Sequence, residues 1–364
     1  MKIHELTRFL DQSFPLGLQE EYDNAGFLVG NKEQELTGVL ISVDVTEQVV
    51  DEAIERGANF VLSHHPVIFS GMNKITGKNY VERIVMKAIK HDVAIYAAHT
   101  NMDNAGNGVN IRLAEKLGLQ DVQILRPDRE KLVKLAFFVP HEQAGEVREA
   151  VFRAGAGQIG DYDSCSYNLS GQGTFRPGEG TNPFVGKQGE LHFEDETRVE
   201  TIFPEYIQPK VLDALFKAHP YEEVAYDLYP LKNENPGEGS GAVGILPAEM
   251  EESRFLTLLS KTFDAPGIRH TSLLHKPVKK VALCGGSGSF LLKDAIRAGA
   301  DAFMSADFKY HQFFDADGQI LIADIGHYES EQVTKEIFYE LLTENFHNFA
   351  IHLSKINTNP INYF

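Results

Sequence analysis

The sequence predicts an α/β protein with a mainly parallel sheet core and helices on both faces, interrupted by an inserted ferredoxin-like α+β domain. Three observations carry this. Short apolar runs alternate with amphipathic helical patterns in both outer thirds of the chain. The middle third instead orders its elements β-α-β-β-α-β, the split unit of ferredoxin-like folds. The apolar run Asn59-Phe60-Val61-Leu62-Ser63 stops at His64-His65-Pro66, as a strand buried on both faces does.

Along the chain, Ile3, Leu6, Phe9 and Leu10 keep helical spacing and the pattern ends before Pro15. Tyr22-Asp23-Asn24-Ala25-Gly26 reads as a turn cluster. Val39–Val43 reads as a strand, Thr46–Arg56 as a helix closed by Gly57, and Phe60–Ser63 as a strand. A helix at Val81–Lys90, a strand at Val93–Ala98 and a helix at Asn107–Leu117 follow. In the middle third, strands are expected at Lys131–Val139, Ser164–Ser170, Arg198–Phe203 and Glu223–Leu228. Helices are expected at Glu142–Arg153 and Gln208–Ala218. Gly171–Gly189 reads as a long exposed hairpin connection, and Pro236–Gly241 as a flexible piece before a helix at Glu252–Phe263.

The α/β rhythm returns with strands at Lys280–Leu283, Ala302–Ser305 and Gln319–Asp324, a helix at Phe290–Arg297, one long helix at Glu329–Asn345 and a last strand at Phe349–Leu353. The expected domains are therefore a discontinuous one, residues 1–125 with 277–364, and an insert, residues 126–276.

Composition bounds the function. A hydrophobic content of 43% with 24% charged residues suits a large buried core, and no run approaches a membrane span. Two cysteines, Cys165 and Cys284, make neither a disulfide framework nor a metal motif, and with the absence of a signal-peptide pattern they place the protein in the cytoplasm. The formal net charge of −18 opposes broad nucleic-acid binding, which draws on clustered Lys and Arg.

Open α/β sheets bind ligands at the carboxyl ends of their strands. His64, His65 and Asp103 stand at that edge, with His99 beside them. His327 follows the strand Gln319–Asp324, and Glu331 lies one helical turn on, on the same face. Three imidazoles and two carboxylates are too many for one ordinary zinc centre and suit a pair of divalent ions, with Zn, Mn and Fe all compatible. The turn Cys284-Gly285-Gly286-Ser287-Gly288-Ser289 lacks the lysine of a nucleotide-hydrolysing loop. It reads either as an anion site or as a tight turn needing positive φ. Asp307, Lys309, Tyr310 and His311 form a polar cluster that contacts substrate, orients ligands or is an exposed loop.

Taken together, Tyr22–Gly26, Ser63–Pro66, His99–Asp103, Cys284–Ser289 and Gly326-His327-Tyr328-Glu329-Ser330-Glu331 resemble the NIF-three-like family, whose members are often labelled GTP cyclohydrolase 1 type 2 homologs. His219-Pro220-Tyr221-Glu222-Glu223 is similar to the longer bacterial members, whose insert resembles CutA and PII proteins. The resemblance implies a dinuclear centre held by His64, His65, Asp103, His327 and Glu331, in a homohexamer.

Two functions fit. One is a metal-dependent hydrolase that uses a metal-bridging water on an anionic, nucleotide or phosphoester-like small molecule, with His99 or His311 as general acid or base, or as orienting residues. Four positive charges on the ions against three negative ones, from Asp103, Glu331 and the bridging water as hydroxide, leave that centre positive. The other is a metal-binding regulatory or ligand-sensing protein without turnover.

Overall fold

The strands Gly38–Ser42, Phe60–Ser63 and Ala94–Ala97 bury every residue they contain, so each must be covered on both faces. In the computed structural model, which describes residues Met1–Phe364, they form a five-stranded sheet with Ala350–Leu353 running parallel and Gly26–Val29 antiparallel at the edge. The helices that cover it start where the sequence supplies caps. Thr46 accepts the Val49 N–H at 3.2 Å to open Glu47–Glu55, and Asn79 accepts that of Glu82 at 2.9 Å to open Tyr80–Lys90. Their apolar faces, Val49 with Val50 and Ala53, Ile84 with Val85 and Ala88, close over Leu40, Val61 and Ile95.

The later part of the chain does not extend this sheet. Leu321–Asp324, Ala302–Ser305 and Pro277–Leu283 run parallel in a second, six-stranded sheet, flanked antiparallel by Arg269–His270 on one side and Glu234–Glu251 on the other, with Gln120–Arg129 outermost. The single sheet implied by the sequence rhythm is therefore corrected to two mixed sheets, because alternating strands and helices do not reveal which remote strands pair.

Three further expectations change. Pro236–Gly241 is not a flexible piece but part of the eighteen-residue strand Glu234–Glu251. Its glycines allow close approach: Gly241 has φ +69°, and a Cβ on Gly244 would press on Leu119. The long helix at Glu329–Asn345 is two, His327–Glu331 and Thr334–Asn345, with the Thr334 hydroxyl donating to the Glu331 carbonyl at 2.7 Å. Thr100–Asp103 forms an unforeseen helical turn. No helix is long and apolar enough to cross a membrane.

The chain divides into two compact units, Met1–Pro127 with Gly237–Phe364, and Asp128–Pro236. The insert thus ends some forty residues before the expected Lys276. Residues 237–276 belong to the larger unit because Glu234–Glu251 pairs with Pro277–Leu283 and because buried Glu252 accepts the N–H groups of Leu274 and His275 at 2.8 and 2.9 Å. The smaller unit has four antiparallel strands in the order Tyr167–Phe175, His192–Pro204, Leu132–Pro140, Tyr226–Leu231. Helices Ala144–Arg153 and Gln208–Ala218 lay Val147, Val151, Val211 and Leu215 on its Leu135, Phe137, Val199 and Phe203.

This core contains no residue of the larger unit. Replacing Asp128–Pro236 by a short Gly/Ser linker should therefore leave a protein that melts cooperatively by circular dichroism. A molten product without a cooperative transition would show that the units do not fold independently.

Candidate metal centre

At the end of the strand Phe60–Ser63 the chain turns so that the N–H groups of both His64 and His65 donate to the Val43 carbonyl, each at 3.0 Å. Consecutive strand residues point to opposite faces. The shared carbonyl ends that alternation, and both imidazoles reach one site. His64 is fully buried and donates Nδ1–H to the Ala98 carbonyl at 2.9 Å, which leaves Nε2 facing inward. The Nδ1 atoms of His65 and His99 are held by Asp44 at 2.7 Å and Asp23 at 2.8 Å. Asp23 also accepts from the Thr100 hydroxyl and backbone N–H.

The second sheet brings His327 and Glu331 on the one-turn helix after Leu321–Asp324. Asp307, held at φ +57°, aims its carboxylate at His327 Nδ1, 2.8 Å away. Glu331 is 2% exposed. Its Oε1 lies 3.7 Å from His64 Nε2, which is itself 3.7 Å from Asp103 Oδ1. Its Oε2 lies 2.8 Å from His65 Nε2 and 3.0 Å from His327 Nε2, and those two nitrogens are 3.1 Å apart. The donors thus form two trios, His64–Asp103–Glu331 and His65–His327–Glu331, and a third of His64, His65 and His99 adjoins them.

These trios fit metal ions. Metal–ligand bonds of roughly 2.0–2.1 Å in a tetrahedral zinc site put ligand atoms roughly 3.3 Å apart, close to the separations above. His64 Nε2, Asp103 Oδ1 and Glu331 Oε2 are buried without a hydrogen-bond partner, an arrangement a cation would satisfy.

The electrostatics point the same way. Burial works to raise the Glu331 carboxyl, but the three surrounding imidazoles override it and hold it well below the usual carboxylate range. Asp103 is pushed well above that range by burial and then by the Glu331 charge, as expected when two carboxylates share one site. Burial disfavours charge on His65 and His327, yet Glu331 with Asp44 or Asp307 raises them to about 10 and about 11.

The glycine-rich turn is the tight-turn alternative. Gly286 has φ +60°, and a Cβ there would collide with the Glu331 carboxylate. The N–H groups of its three glycines are already engaged, Gly285 by Asn110, Gly286 by Ser330 and Gly288 by Ser305. A cavity of about 340 Å³ opens onto the site past Tyr22, Phe69 and Phe290, and one of about 580 Å³ lies on the other side of His65 and His327.

The structure brings together His64, His65, His99, Asp103, His327 and Glu331 but not His311. That residue is exposed on the 3₁₀ segment Tyr310–Ala316, edge-on to Tyr310 and beside Phe314, apart from the clustered donors. Asp44 was not singled out from sequence and Asp23 was noted only within a turn. The signal available for Asp44 was its position one residue beyond a strand end.

A mixed α/β fold whose two sheets converge on clustered imidazoles and carboxylates defines a protein equipped to hold metal ions. The chain belongs to the Duf34/NIF3 (NGG1p interacting factor 3) family, matched over residues 1–360. It is 44% identical over 355 residues to a GTP cyclohydrolase 1 type 2 homolog of Halalkalibacterium halodurans, covering 96% of this chain and 95% of that protein. Its identity to the like-named Bacillus subtilis protein is 38% over 365 residues, covering 99% and 98%. A solved Bacillus cereus protein related to NIF3 superposes with a TM-score of 0.86 at 40% identity, covering 100% of this chain and 99% of that one.

Two outcomes follow. Imidazole must be neutral to bind metal, and His65 and His327 carry protons at neutral pH in the metal-free protein, so cation binding releases protons and apparent affinity rises with pH toward about 10–11. Calorimetric titration with Zn²⁺ in buffers of different ionisation enthalpy should show net release at pH 7; no release would mean the rings are already neutral. Gly286→Ala should cost about 1 kcal/mol or more of stability through its positive φ, and should weaken Zn²⁺ binding by displacing Glu331, both readable from melts with and without metal.

Proposed function

We propose that the chain is a dinuclear metal-dependent hydrolase of the GTP cyclohydrolase 1 type 2 homolog kind, acting on a nucleotide or phosphoester-like small molecule. One observation carries this reading: the two oxygens of buried Glu331 face two different donor groups. His64, Asp103 and Glu331 would hold one divalent ion, and His65, His327 and Glu331 the other. Such a pair supplies Lewis acidity and water activation at neutral pH. Zinc, manganese and iron all suit imidazole with carboxylate.

The chain's own residues do the rest. His99, with Nδ1 fixed on Asp23, presents Nε2 beside the site and is placed to give or take a proton there. Phe69 and Phe290 limit water at the cavity mouth. Asp44 and Asp307 orient His65 and His327 and return negative charge, so the centre is less positive than its direct ligands suggest. No lysine or arginine lines the 340 Å³ cavity, and Arg126 packs only against the outer Phe290 ring, so within the cavity a phosphate would meet positive charge mainly at the ions. That same observation favours the second reading, a metal-binding regulatory protein without turnover.

Family membership supports the further reading of a cytoplasmic homohexamer. The five parallel pairings support a mainly parallel core in the larger unit. The element order and sheet order support a ferredoxin-like smaller unit of the CutA/PII kind.

Metal content and turnover test the proposal together. Protein purified without chelators should carry about two ions per chain, Glu331→Gln near none, and His65→Ala about one. The wild type should hydrolyse at least one member of a nucleotide and phosphoester panel, and Glu331→Gln none. Two tightly held ions in Glu331→Gln would end the bridging assignment, and metal-loaded wild type inert across the panel would favour the regulatory reading.

A further inference from the structure

The smaller unit contains a cavity of about 390 Å³ on the open face of its sheet. Its walls are aromatic: Phe138 and Phe175 rise from the strands, and Phe184 and Tyr221 close over them, with the Tyr221 ring 5.9 Å from Phe175 and 6.3 Å from Phe184. The charged side chains that line it are all carboxylates, and no lysine, arginine or histidine is among them.

Glu196 is the buried one, 8% exposed. Gly173 on the neighbouring strand makes room for it, since a Cβ there would strike its carboxylate. The Tyr221 hydroxyl donates to Glu196 Oε1 at 2.9 Å, which leaves Oε2 as the oxygen available to a ligand. Arg198, two residues along the same strand and on the same face, is paired with Glu200 at 3.0 Å, and its guanidinium packs over the Phe138 ring 5.7 Å from the centroid, outside the residues that line the cavity.

The motif His219–Glu223 builds this arrangement. His219 is buried and donates Nε2–H to the Phe138 carbonyl at 2.9 Å while Nδ1 accepts the Tyr221 N–H at 3.1 Å, so a single neutral tautomer props Tyr221 over Glu196. Glu222 accepts the Asn182 N–H at 3.0 Å and clasps the loop that carries Phe184.

A cavity with aromatic faces, a largely buried carboxylate and no basic side chain in its lining disfavours anions and gains from a desolvated cation, through the ring quadrupoles and the charge pair. We propose that this cavity binds a small organic cation, an ammonium or guanidinium group on an apolar body, with Glu196 as counter-ion and Phe175, Phe184 and Tyr221 as its walls. Its volume suits a ligand of modest size. None of the candidate metal ligands takes part, so the two sites can be tested separately.

Titration of the full chain by calorimetry with phenethylammonium, against 3-phenylpropionate as a probe of similar shape and opposite charge, tests this. Phenethylammonium should bind at least about tenfold more tightly. Glu196→Gln should weaken the ammonium at least about tenfold while leaving the carboxylate probe unchanged or tighter. Phe184 is 53% exposed, so Phe184→Ala should keep the fold and still lower ammonium affinity roughly fivefold. Equal affinity for the two probes, no binding of the ammonium, or full ammonium affinity in Glu196→Gln together with Phe184→Ala would overturn the proposal.

Discussion

A carboxylate deprived of water organises the larger unit. Burying Glu331 costs several kcal/mol unless positive charge or hydrogen bonds replace its hydration. No single sheet supplies enough partners: His64 and His65 come from the end of one, His327 from the end of the other. The carboxyl ends of strands from the two sheets must therefore converge at this point. Gly285 lets the second sheet's turn approach the first half of the chain closely, since a Cβ there would lie 2.9 Å from Val109, while Gly286 and Gly326, both at positive φ, make room for the Glu331 and Glu329 carboxylates. Asn110 ties the halves by donating to the Asp103 carbonyl at 2.9 Å and accepting the Gly285 N–H at 3.0 Å.

Around this carboxylate the imidazoles are anchored from behind. Each of the four uses Nδ1 on an oxygen of Ala98, Asp44, Asp23 or Asp307, so Nε2 is the nitrogen turned to the site. The anchors are anchored in turn: the Thr358 hydroxyl donates to Asp44 at 2.6 Å, drawing residues near the chain's end into the same network. Outer partners of this kind set ring orientation and basicity as much as the ligands themselves do.

The clustering of these donors was legible because chemistry-bearing residues interrupt apolar runs: His64 and Asp103 follow strands closely, and His327 starts a helix just past one. The division into two sheets was not, since strand pairing across more than two hundred residues leaves no local periodicity. Pro236–Gly241 misled because close backbone approach and flexibility share one composition. Asp44 and Asp307 are lone carboxylates in turns, without a spacing that marks them. His311 sits in a polar cluster after a strand end, much as the ligands do. Only the 3₁₀ segment Tyr310–Ala316, carrying it to the surface, distinguishes it.

The clustered donors lie far apart along the chain, which bears on biosynthesis. His65 and His327 are 262 residues apart. At translation rates of roughly 5–20 residues per second, the early histidines wait roughly 13–50 s before their partners exist. During that interval His64, His65, His99 and Asp103 are the members of the donor cluster already made. The full set of donors therefore exists only after Glu331 has been made, and a cation met earlier would find an incomplete site.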